Sequence, residues 1–364
     1  MANFNMRTLI NRWVGSRAAK SGVAEPAATA PTTRESRRQF LCACGCGAFA
    51  ISAAGASLLA AATRAEAAAG GAPLRVGHLP AGCVSHLLLA KARGQFAKAG
   101  LNVQLTQFNG PSDNLQALIA DRIELMHSPW TMTAAAFAKG TTDIRIIGGS
   151  GQAGIELVAR KGSVKSVDEF IAAAGHGLRV GTLRLDTLEL VGYGTMSKHG
   201  KSYADYKMTF FPSMVGMGEA IANGTLDVCT LAQPYAENVV ENSGATYIAD
   251  SNTVWGPEAA DCVITSKVTT ISQRPDVLRT YLSVLQASAK SMFADYPAAI
   301  DDLQPIYGVP RPILEVALKR QFPNPVISAA GVSGLHRGAK YLEELGYFKG
   351  DVIGPALDLK LQPA

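Results

Sequence analysis

The feature that most constrains this 364-residue chain is an internal repeat. Phe108–Leu125 reads FNGPSDNLQALIADRIEL and Phe211–Val228 reads FPSMVGMGEAIANGTLDV, aligned without a gap at an offset of 103 residues. Ala117 falls on Ala220, Leu118 on Ile221, Ile123 on Leu226, Glu124 on Asp227 and Leu125 on Val228. Upstream, Val76-Gly77-His78-Leu79 echoes Val180-Gly181-Thr182-Leu183 at an offset of 104. Solenoid repeats run to about 20–50 residues, so this period describes two domain-sized units rather than a stack.

Each copy reads as β-α-β-α-β. In the first, Leu74–Leu79 is a short apolar strand, and Ser85–Ala97 has helical spacing through Leu88, Ala92 and Phe96 until Gly100 stops it. Leu101–Phe108 alternates as a strand, Asn109–Asp113 is a turn, and Ser112 or Asp113 can cap a helix running to Ala120. Ile123–His127 is the third strand. Strands joined by helices of this length are most simply parallel, with right-handed crossovers. Two such units predict two α/β lobes; a single large doubly wound domain is the alternative. Ile144–Ser150 and Ile155–Arg160 are strand-like, separated by Gly148, Gly149, Gly151 and Gly154, and the run Gly149–Gly154 reads as a flexible inter-lobe turn. The second copy ends at Val228–Leu231. Cys262–Ser266 resumes as a strand, and helices are expected over Pro275–Phe293, Pro297–Gln304, Arg311–Arg320 and Val332–Leu345. With the C-terminal third returning to the first lobe, residues 68–152 and 259–364 form lobe 1 and residues 153–258 lobe 2. Two chain crossings then act as a hinge.

The formal charge of +5 is misleading. Residues 1–67 hold eight basic and three acidic side chains, and the remainder is balanced at 26 of each, so nucleic acid is not an expected partner. The excess lies where a targeting segment would put it. Ser36-Arg37-Arg38-Gln39-Phe40-Leu41 resembles the twin-arginine export signal S-R-R-x-F-L. The uncharged stretch Gln39–Thr63 is rich in Ala, Gly, Cys and Ser, a poor permanent anchor, and Ala65-Glu66-Ala67 is a small-x-small cleavage candidate. Export by the twin-arginine machinery to the periplasm is therefore expected. Cys42, Cys44 and Cys46 would leave with the leader, so no metal site is read from them. Of the remaining thiols, Cys229 and Cys262 can either pair in an oxidising compartment or stay free and buried, with Cys83 left over.

Several motifs carry a family resemblance. Gly94-Gln95-Phe96-Ala97-Lys98-Ala99-Gly100-Leu101-Asn102-Val103 resembles the G-x-F-x-x-x-G-L-x-V opening of a solute-binding family of ABC importers. That family serves nitrate, aliphatic sulfonates, taurine and thiamine-pyrimidine precursors. Ala220–Asp227 resembles its A-L-x-x-G-x-[IVL]-D, Gln233-Pro234-Tyr235 its x-P-Y, and Val164–Phe170 its I-K-S-V-x-D-L lead-in. Two departures stand out. Asp121 replaces the usual left-handed Gly in the first copy, a conformation Asp tolerates. Ala232-Gln233 stands where a tryptophan often precedes P-Y. The resemblance implies a type II-like, two-lobed periplasmic binding protein, each lobe a parallel-rich sheet flanked by helices. It further implies a monomer that binds a small molecule, partnered by permease and ATPase subunits, without cofactor or metal and without catalysis.

Ligands of open α/β sheets bind beyond the carboxyl ends of the strands, where helix N-termini favour anions. A sulfonate, nitrate or carboxylate is thus the first expectation. Candidate contacts on these segments are His78, Cys83, His86, Asn109, Ser128, Trp130, Gln152, Thr182, Asp186, Gln233 and Tyr235. His86 and His127 can donate to an anion, or be satisfied structural groups, or ligate a metal with Cys83 and His78. Trp130 can stack on a planar ligand or pack between lobes. Asp186 and Glu189 would oppose an anion and suit an amine or hydroxyl, unless they only serve the helix they precede. Gly149-Ser150-Gly151-Gln152-Ala153-Gly154 fits G-x-G-x-x-G, but a strand rather than a helix follows, which excludes a dinucleotide fingerprint. An enzyme akin to thiamine-pyrimidine synthase lacks its cysteine-rich stretch in the body of this chain. A ligand sensor for a membrane kinase would share the same architecture.

Overall fold

The computed structural model describes residues 71–363; the leader, its paired arginines and Cys42, Cys44 and Cys46 lie outside them. Eleven strands follow in chain order: β1 Leu74–His78, β2 Val103–Gln107, β3 Leu125–Pro129, β4 Ile144–Ala153, β5 Ile155–Ala159, β6 Arg179–Thr182, β7 Lys207–Phe210, β8 Val228–Ala232, β9 Thr246–Asp250, β10 Ala260–Lys267 and β11 Gln321–Pro323. They form two sheets, ordered β11-β4-β10-β3-β1-β2 and β7-β6-β8-β5-β9. The helices are α1 Ser85–Ala92, α2 Gln95–Lys98, α3 Pro111–Ile119, α4 Trp130–Ala138, α5 Val167–Ala172, α6 Thr187–Ser197, α7 Met214–Ala222, α8 Tyr235–Ser243, α9 Ser251–Trp255, α10 Val268–Gln273, α11 Pro275–Ala294, α12 Tyr296–Tyr307, α13 Arg311–Arg320, α14 Ala329–Glu344 and α15 Ile353–Ala356. No described helix is long and apolar enough to cross a membrane.

The repeat is visible in three dimensions. β1 pairs in parallel with β2 and β3, and β6 pairs in parallel with β7 and β8, so each copy builds the same three-stranded core. Later strands extend both cores antiparallel: β10 beside β3, and β5 beside β8. Equivalent residues do equivalent work. Arg75 and Arg179 open the central strands and pair with Glu124 and Asp227, which also accept the backbone N–H of the same arginines. The Arg179 guanidinium holds the Asp227 carboxyl below its ordinary range. Asp121 sits at φ +56° where Gly224 sits at φ +82°, so the departure in the first copy is absorbed by a left-handed Asp.

Gly77 and Gly181 occupy the middle of those central strands because a helix-strand connection lies directly over each. A Cβ on Gly77 would meet Asn114 Oδ1 at 2.2 Å, Ile123 Cδ1 at 2.5 Å and the Phe108 ring at 2.9 Å. One on Gly181 would meet Leu226 Cδ1 at 2.4 Å and the Phe211 ring at 3.2 Å. Leu226 can rotate its terminal methyl away, whereas Asn114 is fully buried and its amide donates to the His127 carbonyl. Gly77→Ala should therefore cost about 1–3 kcal/mol in urea unfolding, and Gly181→Ala visibly less.

Two expectations need correction. Most of Gly149–Gly154 is not a flexible turn: β4 runs on to Ala153, and its glycines admit close neighbours, the Asn324 carbonyl 2.5 Å from a Cβ on Gly149 and the Cys83 Cβ 2.5 Å from one on Gly151. Only Ala153 and Gly154, at φ +57° and +78°, turn the chain into the second sheet. The helix expected over Ser85–Ala97 is two, broken at Gly94, whose φ is +64°. Within the C-terminal third, α14 bridges the two sheets: it packs on α6 and α9 and also on β10, and Leu335 and Leu342 lie in a core cluster that draws residues from both sheets. The chain crosses between lobes at Ala153–Ile155 and again through Asp250–Ala260, with α14 strapped over the second crossing.

Candidate functional site

The lobes meet along a seam built from loop and strand ends. After β1 the chain makes a tight turn, Gly82–Val84, and the Gly82 N–H donates to the Gln233 carbonyl at the exit of β8, 2.9 Å away. Thr131, in the first turn of α4, donates its hydroxyl to the Leu185 carbonyl across the seam at 3.1 Å. Leu185 adopts φ +53°, and Glu189 holds it there by accepting its N–H at 2.5 Å. Glu189 is itself fixed by the hydroxyls of Tyr203 at 3.1 Å and Tyr347 at 2.8 Å. Tyr235, just beyond the cis Gln233–Pro234 bond, packs against the cores of both lobes.

Buried carboxyl and thiol groups cluster at this seam, with Arg184 reaching the Tyr347 hydroxyl beside Glu189. Asp186 caps α6 by accepting the Leu188 N–H at 3.0 Å, and burial pushes its carboxyl up to about 6. Asp261, fully buried at the start of β10, accepts the Ser251 hydroxyl on Oδ2 while its Oδ1 has no hydrogen-bond partner. Burial, with Cys83 nearby, pushes that carboxyl well up too. The Cys262 thiol is held protonated first by its hydrogen bond to Cys83 and then by burial, with Asp261 and Asp186 adding repulsion. Tyr307, beside Cys83 and Tyr235, donates its hydroxyl to the Ala81 carbonyl at 3.0 Å. Burial shifts each of these groups toward its protonated form; an N–H or ammonium donor placed beside the carboxyls would favour their ionised forms.

At the first crossing the electrostatics differ. Glu156, 1% exposed on β5, accepts from Arg320 Nε at 2.6 Å and Nη2 at 3.0 Å. The guanidinium lies 4.0 Å from the Tyr247 ring centroid. Burial raises the Glu156 carboxyl and the arginine lowers it; burial prevails.

Residues 67–302 match the NMT1-like family. The chain belongs to the NMT1-like family. Curated protein sequences give no match. Solved structures share the fold at low identity. The zinc-bound ligand-binding component of an ABC-type import system from Staphylococcus aureus is 17% identical, with TM-score 0.69 over 80% of this chain and 98% of that one. The periplasmic aliphatic sulphonate binding protein SsuA from Escherichia coli is 16% identical, with TM-score 0.69 over 81% and 94%. The periplasmic nitrate-binding protein NrtA from Synechocystis is 11% identical, with TM-score 0.67 over 79% and 86%.

In this NMT1-like chain the structure gathers three of the sequence-derived candidates, Cys83, Asp186 and Tyr235, at the seam. Others point elsewhere. His127 contacts Ser150 Oγ and Tyr281 Oη at 2.7 Å each, and Ser150 donates on to the Cys83 carbonyl at 3.0 Å. His127 therefore gives its Nδ1 proton to Ser150 and accepts from Tyr281. His86 is fully buried with neither ring nitrogen partnered, and desolvation pushes it down to about 3, so it is neutral. His78 reaches its neighbour's carbonyl, Leu79 O, at 3.1 Å. Trp130 is fully buried, and its ring fills the space a Cβ on Gly338 of α14 would need, which is the packing role. Gln233 turns its amide to Glu156 and the Tyr247 hydroxyl, and Gln152 donates to the Glu258 carbonyl at 2.7 Å. Thr182 pairs with Thr230 at 2.8 Å, Ser128 is buried with its hydroxyl unpartnered, and Asn109 is exposed. Asp261 and Tyr307 were not singled out from sequence; the one available signal was an acid inside the apolar run Ala259–Ile264. Cys229 and Cys262 lie in different sheets and both thiols are free. Among the described residues, no group of three or more His, Cys, Asp or Glu side chains is placed to hold a metal ion.

Proposed function

We propose that this chain captures a small polar solute between its lobes and delivers it to a membrane permease driven by an ATPase, as the binding component of an ABC importer. Its leader, read as a twin-arginine signal, supports work in the periplasm, and it acts there by binding rather than catalysis. The carrying observation is the seam, where Asp186 and Tyr235 of the second lobe face Cys83, Asp261, Cys262 and Tyr307 of the first. The fold shared with import-system and periplasmic binding proteins supports the same reading.

The seam also refines the expected ligand. A bare oxyanion would approach two buried carboxyls, although the starts of α4 and α8 favour negative charge. The solute that fits best presents an amino, ammonium or hydroxyl donor to Asp186 and Asp261, with any oxyanion group directed to a helix start. A thermal-shift panel at pH 7.5 tests this with taurine, methanesulfonate, nitrate, acetate and 4-aminopyrimidine. A bound solute at one hundred times its Kd stabilises by about 2.7 kcal/mol, a rise of several degrees. Donor-bearing members should give the larger shifts. Shifts with nitrate and methanesulfonate alone would refute the ligand class, and none with any small polar solute would refute the binding role.

A further inference from the structure

We propose that Cys83 and Cys262 form a reversible dithiol–disulfide pair built into the first lobe's wall of the seam. The two residues come from separate elements, the turn Gly82–Val84 and strand β10, and they flank one glycine. Gly151 is the register partner of Cys262, and a Cβ on Gly151 would stand 2.5 Å from the Cys83 Cβ and 2.7 Å from its Cα. The bare backbone there lets Cys83 settle against β4, which brings its thiol within hydrogen-bonding reach of Cys262. A disulfide needs its Cβ atoms about 3.5–4.5 Å apart, a separation that two cysteines flanking one glycine approach by side-chain rotation. Cys229 is remote from both, on β8 of the other sheet.

The oxidant is a small-molecule disulfide such as oxidised glutathione. One protein thiol loses its proton, attacks a sulfur of the reagent and expels a glutathione thiolate. The second protein thiol, likewise deprotonated, attacks the protein sulfur of that mixed disulfide and expels the other glutathione. Two cysteines are oxidised, one reagent disulfide is reduced to two thiols, and the two protons end on the expelled thiolates. Both cysteines are buried, so the thiolate forms when the lobes part and the wall meets water. Once made, the bond ties the turn to β10. That turn carries the Gly82 N–H which holds the Gln233 carbonyl of the second lobe, so the staple fixes one face of the seam.

The test uses the full chain with Cys42, Cys44 and Cys46 replaced by serine, leaving three thiols. The reduced protein is incubated with oxidised glutathione without denaturant, alkylated, and digested without reductant. The main oxidised product should be a peptide linking Cys83 to Cys262, with Cys229 alkylated only after unfolding. The melting temperature should rise by several degrees and return with dithiothreitol. Cys83→Ser and Cys262→Ser should each abolish the linked peptide and the rise, and Cys229→Ser should keep both. Mixed disulfides without the linked peptide, a linkage through Cys229, or thiols unreacted when an unfolded control is fully oxidised would each overturn the proposal.

Discussion

Replacing Asp186 with asparagine is expected to stabilise the fold at neutral pH while weakening solute capture. The Asp186 carboxyl is 3% exposed and shifted to about 6 from an ordinary 3.8, chiefly by burial. Between those values the folded protein keeps a proton that the unfolded chain has released. Its contribution to stability is therefore greatest below about pH 4 and declines as pH rises to about 6. A shift of that size corresponds to about 3 kcal/mol. Asparagine retains the capping oxygen for the Leu188 N–H, so the helix start survives the change. Neither Cys262 nor Glu189, the neighbours facing the carboxyl, supplies a cation that the substitution would strand. Urea unfolding at pH 7.5 should show Asp186→Asn more stable than the parent by a large part of that figure. The gap should shrink at pH 4.5. The same variant should lose at least tenfold in affinity for a donor-bearing solute found in the thermal-shift panel. A variant less stable than the parent at pH 7.5 would mean that the carboxylate is ionised and paired in the folded state.

The second large effect is at the hinge. Arg320→Ala should destabilise the protein by about 3 kcal/mol, toward the lower end for breaking one side of a buried pair, because the arginine side chain is 35% exposed. The cost arises from Glu156, left buried with only the Gln233 amide at 3.3 Å as a donor. Burial already raises this carboxyl against the pull of the guanidinium. Without Arg320 the rise is unopposed, so the variant should recover stability on acidification from pH 7.5 to 5. Glu156→Gln combined with Arg320→Met removes both charges and should restore most of the loss. Chemical denaturation of the three proteins at both pH values measures all of this. Equal stability of Arg320→Ala and the parent would show that the pair contributes nothing at the crossing.

How far the sequence leads can be seen in particular residues. The repeat foretold both β-α-β-α-β units, the matched glycines of β1 and β6, and the left-handed turn at Asp121, because each depends on chain neighbours and local sterics. The helix expected over Arg311–Arg320 has those bounds in the structure. The site was less legible. Residues Ser85–Ala90 of α1 are all buried, so no polar face reveals that His86 points into the lobe. β3 and β8 are buried along their whole length, and a strand covered on both sides carries no alternation to say which face His127 or Cys229 occupies. The approach of Cys262 to Cys83 depends on β10 inserting antiparallel between β3 and β4, a long-range pairing that no local pattern announces. Likewise the Gln233 amide meets Glu156, a buried carboxylate from another strand that no local pattern places beside it.

The central claim is that the lobes close on a solute at the Asp186–Asp261 seam. Small-angle X-ray scattering of the full chain, without and with a saturating panel solute that raises the melting temperature, tests it most directly. The account predicts a smaller radius of gyration with the solute bound, and for Asp186→Asn the same compaction only at solute concentrations at least tenfold higher. Identical profiles for the parent protein with and without a saturating solute would contradict it.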